Sequence, residues 1–183
     1  MLFRSMAPRH PLVIGHRGAP AHRPEHTLAS YVMAAGLGAD YLEPDLVATA
    51  DGVLVARHEP ELGGTTDIAT RPEFADRHTT RVVDGRPRTG WFVDDLTLAE
   101  LRTLQARERL PVLRPGNTRF DGRFPLPTFA EILDLRARLS AAKDWTNTGA
   151  PGRSSPAARR SPTRAGSSGT PRSAKYPGFL VSG

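Results

Sequence analysis

The chain has 183 residues, no cysteine and a formal net charge of +6. It can therefore carry neither a disulfide framework nor a thiolate zinc site, and no apolar run approaches the ~18 residues a membrane-spanning helix needs. The charge is unevenly spread: residues 1–142 hold 18 arginines, no lysine and 18 acidic residues, so the whole positive balance falls in 143–183.

In chain order, residues 12–15 form a short apolar run ended by glycine, the pattern of a buried strand. Thr27 can cap a helix whose apolar positions Leu28, Tyr31, Val32, Ala35 and Leu37 recur at helical spacing, with Gly36 and Gly38 to stop it. Residues 41–47 read as a second strand and 53–57 as a third. Strand, helix, strand in so short a span is the pattern of a parallel α/β sheet, in which functional groups gather where the strands end. His16 follows the first strand, Glu43 and Asp45 lie late in the second, and His58 follows the third, so all four are expected on one rim.

The carboxylates have a physical logic. Residues i and i+2 of a strand face the same side, so Glu43 and Asp45 can converge on one hard, oxygen-seeking cation that offsets their repulsion. The alternative is a pair of polar side chains facing solvent on an edge strand. In His16-Arg17-Gly18, glycine permits a tight turn, arginine offers a forked donor for phosphate oxygens and histidine can move a proton near neutral pH. His10, His22, His26 and His78 are assigned no chemistry: the first three read as loop residues or a contact at the helix start.

Farther along, residues 59–95 are glycine-bearing and aperiodic, with a short helix near 72–76; they read equally as a surface loop or as a segment shaping a substrate site. Helices are expected over 97–105 and 128–139. Beyond 142 the chain becomes rich in Ser, Pro, Gly and Arg, with no apolar period, and is expected to be disordered. Out-of-frame translation from about Ala142 is one reading of that break, and a natural arginine-rich tail is the other. The first 15 residues, interrupted by Arg4, Pro8, Arg9 and Pro11, lack the apolar stretch of a signal peptide, and a cytoplasmic location is expected.

The sequence HRG, then PEHT, then E-x-D, then a D-G…H element, in that order from about Val13 to His58, resembles the glycerophosphodiester phosphodiesterase family, in its longer bacterial form. Weaker similarity continues through WFVDDLTLAELRTL and FPLPTFAEILDL. The resemblance implies a TIM (β/α)8 barrel, of which 1–142 would be an incomplete N-terminal portion and 59–95 an insertion beside the site. It implies acid/base roles for His16 and His58, phosphate contact by Arg17, metal ligation by Glu43 and Asp45, and a supporting role for Glu25. Ca2+ or Mg2+ is the implied cofactor and a small glycerophosphodiester the implied substrate, cleaved to sn-glycerol 3-phosphate and an alcohol.

Two departures stand out. The second histidine is followed by Glu59 where the family usually has aspartate. No glutamate occurs beyond Glu131, so the family's third metal ligand is missing and weak or absent activity is expected. Exposed barrel edges would favour self-association. A second reading is a non-catalytic fragment whose basic tail binds nucleic acid or an anionic membrane.

Overall fold

A computed structural model describes residues 11–147 and 178–179. Strand β1 (Ile14–His16) leads through a loop to helix α1 (Leu28–Gly36), which returns to β2 (Tyr41–Glu43), and the two strands pair in parallel with His16 opposite Glu43. Thr27 caps α1 by accepting the Ser30 amide at 3.1 Å, and the helix stops where Gly38 takes a φ of +94°. The βαβ expectation holds for this unit. Its close packing depends on Gly15, where a Cβ would come within 2.9 Å of the Ala34 methyl.

The expected second strand is interrupted. Pro44 has no amide to donate, and the chain resumes as β3 (Leu46–Ala48). The expected third parallel strand, β4 (Leu54–Ala56), instead pairs antiparallel with β3, Val47 opposite Val55. The connection explains this correction: a few residues, turning at Gly52 with φ +78°, can close a hairpin but cannot make the crossover that parallel strands require. The end of β4 still reaches the rim, because the Arg57 amide donates to the Asp45 carbonyl at 3.1 Å.

Residues 59–95 are more ordered than their composition suggests. They contain 3-10 turns at Ile68–Thr70 and Pro72–Arg77 and a hairpin of β5 (Thr79–Val83) with β6 (Arg86–Gly90). Asp84 and Gly85 both have positive φ, +51° and +71°, the geometry of a two-residue turn that matches strand twist. Leu62, Ile68, Phe74 and Val93 pack with Val55, Leu96, Leu101, Leu104 and Leu126 into an apolar cluster of their own. Expected as a plain loop or a substrate-shaping segment, the region buries four apolar side chains in a core it shares with the residues before and after it, and is therefore no plain loop.

Helix α2 (Leu98–Leu101) is a single turn closed by a Thr97–Glu100 capping box, shorter than expected. Helix α3 (Phe129–Asn147) is longer than expected and runs past residue 142. Its Ile132 and Leu135 bury against Tyr31, Ala34, Leu42 and Ala56, forming a second cluster beneath the β1–β2 pair. The disordered tail expected for 143–183 lies outside the described residues, apart from the end of α3 and β7 (Gly178–Phe179), which pairs in parallel with β2.

Candidate active site

The site begins where β1 ends. Arg17 takes a left-handed φ of +57°, uncommon for a residue with a side chain, and the following Gly18 has φ +91° and lies so close to Ser30 that a Cβ would collide with it. This double turn sends the arginine back over the strand ends. Its amide donates to the Glu43 carbonyl at 3.0 Å and lies 3.1 Å from Glu43 Oε2. Its guanidinium sits between two carboxylates, Nε 3.4 Å from Asp45 Oδ2 and Nη1 3.5 Å from Glu25 Oε2.

Glu43 and Asp45 are both buried, which excludes the solvent-facing reading of the pair. His16 is different: its side chain is 64% exposed, with Nε2 4.0 Å from Glu43 Oε2. An exposed imidazole beside a buried carboxylate can meet a bound molecule and exchange a proton with it.

His58 joins this cluster through an ion-pair network. Its Nδ1 lies 2.7 Å from Glu59 Oε1. Glu59 is held by Arg109, which donates to Oε1 at 2.7 Å and also contacts Oε2. The same guanidinium donates to Glu25 from Nε at 2.8 Å and from Nη2 at 2.6 Å. Burial would raise the Glu25 carboxyl, but the hydrogen bonds and charge of Arg109, with the charge of Arg17, hold it below the usual carboxylate range. A continuous chain of contacts thus runs from Asp45 through Arg17, Glu25, Arg109 and Glu59 to His58.

Three participants were not expected. His26, read as a loop residue or a contact at the helix start and given no chemistry, is wholly buried and φ +58° turns it inward; its Nε2 lies 3.1 Å from Asp45 Oδ2 and its Nδ1 2.8 Å from the Tyr31 hydroxyl. Burial lowers the His26 pKa, against the opposing hydrogen bond to Asp45. Burial, with the charge of Glu43, raises that of Tyr31, so the phenol keeps its proton. The two ring nitrogens of His26 thus bridge Asp45 and the Tyr31 hydroxyl. Arg57 is also buried; burial pushes it down to about 10, and it reaches Thr65. Arg109 had no signal in sequence, lying in an aperiodic stretch 84 residues from Glu25. For His26 a clue existed: Tyr31 placed a hydroxyl on the buried face of α1, which required a partner.

The donors suit a hard cation in kind but not in number. Glu43 and Asp45 offer buried oxygens, yet among the described residues no three His, Asp or Glu side chains group so as to hold an ion. Glu131 is committed elsewhere: Oε2 accepts the Thr128 amide at 2.8 Å, capping α3, and Oε1 accepts from Arg102 at 3.1 Å.

A family model described as the glycerophosphoryl diester phosphodiesterase family matches residues 16–153, which takes in every residue of this site. The chain belongs to that family. It is 41% identical to glycerophosphodiester phosphodiesterase GDPD6 of Arabidopsis thaliana over 125 residues, 68% of this chain and 33% of the relative. It is 40% identical to the glycerophosphodiester phosphodiesterase of Haemophilus influenzae over 116 residues, 63% of this chain and 29% of the relative. The chain therefore spans about a third of the length of these curated relatives. The crystal structure of a glycerophosphodiester phosphodiesterase from Agrobacterium tumefaciens superposes with a TM-score of 0.50 at 30% identity, covering 70% of this chain and 44% of that one. The described residues are thus part of an α/β barrel of the phosphodiesterase type, as expected.

Proposed function

We propose that this site serves the hydrolysis of glycerophosphodiesters to sn-glycerol 3-phosphate and an alcohol. The observation that supports it most is the in-register pairing of His16 with Glu43 at the ends of two parallel strands, with Arg17 folded back beside them. Arg17 places a delocalised positive charge where a phosphodiester would lie, steadying charge that grows on its oxygens. One of His16 and His58 takes the proton from the glycerol 2-hydroxyl as its oxygen bonds to phosphorus. The other gives a proton to the departing alkoxide as its bond to phosphorus breaks. Water then opens the cyclic phosphate with the proton roles reversed.

A divalent cation, Ca2+ or Mg2+, belongs to the same reading, with Glu43 and Asp45 as the residues that would hold it. When bound it would neutralise phosphate charge. Because the described residues supply only these two ligands, the chain alone is expected to bind product but turn over little. His16, exposed beside the phosphate position, makes this measurable.

The experiment is a titration of the purified chain with glycerol 3-phosphate, with and without Ca2+ or Mg2+, following the imidazole signals of His16 and His58 by NMR. Shifts in both rings that disappear in Arg17→Ala are expected, alongside little release of glycerol 3-phosphate from glycerophosphocholine. Rings that do not respond would overturn the assignment. An enzyme-like release rate that His16→Ala abolishes would overturn only the claim of low turnover.

A further inference from the structure

The pairing of Arg109 with both Glu25 and Glu59 is more elaborate than the stability of a loop requires. Arg109 comes from the stretch after α2 and reaches two carboxylates that sit on different sides of the site. Glu25 bears on Arg17, whose Nη1 is 3.5 Å away, and Glu59 bears on His58 at 2.7 Å. One guanidinium therefore fixes, at second hand, both the phosphate-facing arginine and one acid/base histidine.

We infer that Arg109 is a positioning residue that, by clamping Glu59, holds His58 in the tautomer with its proton on Nδ1 and its lone pair on Nε2. This rests on the proposed hydrolysis only for its meaning, since the geometry holds without it. Burial would raise the Glu59 carboxyl, but hydrogen bonds from Arg109 and His58 bring it down to about 2, so it is ionised at any ordinary pH. A carboxylate has no proton to donate. The close nitrogen of His58 must therefore carry one, and Nε2 is left as the nitrogen that takes or returns a proton.

Arginine suits the task because its planar fork can serve two carboxylates at once, which a lysine ammonium cannot do with the same geometry. The position after the second histidine, glutamate in this chain, is also accounted for. The longer side chain lets one carboxylate meet both the imidazole of its own neighbour and a guanidinium 50 residues away.

The test is nitrogen NMR of His58 in the full chain, at a pH above the imidazole titration, where pyrrole-like and pyridine-like ring nitrogens are told apart. The wild-type protein is expected to show Nδ1–H in excess, the reverse of free imidazole. Glu59→Gln, which leaves the Arg109–Glu25 pair intact, should lower the Nδ1–H to Nε2–H ratio about tenfold, the weight of one charge-assisted hydrogen bond. Arg109→Lys, which keeps a charge opposite the buried Glu25 and so favours folding, should give an intermediate ratio.

A wild-type ring with Nε2–H in excess would overturn the inference. So would a ratio that Glu59→Gln or Arg109→Lys leaves unchanged. The two readings fail separately: rings unmoved by glycerol 3-phosphate count against the hydrolysis, while the tautomer ratio reports on the Arg109–Glu59 clamp whether or not the hydrolysis holds.

Discussion

At the scale of single residues, Arg17 explains how two buried carboxylates are tolerated beside each other. Its guanidinium lies within 3.5 Å of both Glu25 and Asp45, so neither carboxylate is left uncompensated by that charge. Arg17→Ala is expected to destabilise the protein by about 3 kcal/mol, as the removal of one partner from a buried ion pair does, measurable by urea unfolding. Glu59 gives a pH dependence whose sign can be worked out. Its carboxyl lies at about 2 in the folded chain against an ordinary 4.5, so the unfolded state binds more protons between those values. The stabilisation it contributes is full above 4.5 and is lost as pH falls toward 2. Unfolding curves recorded across that range should show a shallower acid loss in Glu59→Gln than in the wild type.

At the scale of elements, the β1–α1–β2 unit was legible because its signals are local. Thr27 marks the start of the helix, Gly38 its end, and the apolar residues of α1 fall at helical spacing. The β3–β4 hairpin departs from the expected parallel arrangement for an equally local reason: a run of strand-forming residues does not announce its pairing direction, which the short turn at Gly52 dictates. The β5–β6 hairpin carried a visible signal in Asp84-Gly85, obscured by its polar, mostly exposed strands. Helix α3 is held at its start by Thr128 and Glu131, whose side chains and amides exchange hydrogen bonds at 2.8 and 3.2 Å. Thr128→Ala should cost about 1 kcal/mol by loss of this cap, read as a lower midpoint in thermal unfolding with the fold otherwise kept.

For the whole molecule, the cluster around Tyr31, Leu42 and Ile132 packs on one side of the β1–β2 pair while Leu12, Val13 and Ile14 remain about half exposed. Among the described residues, β1 pairs only with β2, so its other edge has no strand partner among them. Such an edge is a template for another chain. Concentration-dependent association is expected in light scattering coupled to size-exclusion chromatography, and Ile14→Lys should weaken it. A single monomeric species at every concentration would contradict this prediction.

The family is legible in the order of short motifs. His16-Arg17-Gly18, Glu25, the Glu43–Asp45 pair and His58 stand out as candidates because the proposed acid/base and phosphate chemistry would need those side chains, and the end of a strand is where they can be gathered. The partners that hold them were decided by tertiary structure. Arg109 and His26 enter the site through contacts across 84 and 19 residues, made when loops close over the strand ends; no local pattern encodes the first, and only the buried Tyr31 hydroxyl hinted at the second. Which groups must be present follows from chemistry that residue types reveal. Which of them are charged, clamped or left with a free lone pair depends on burial and on distant neighbours, and those exist only once the chain has folded.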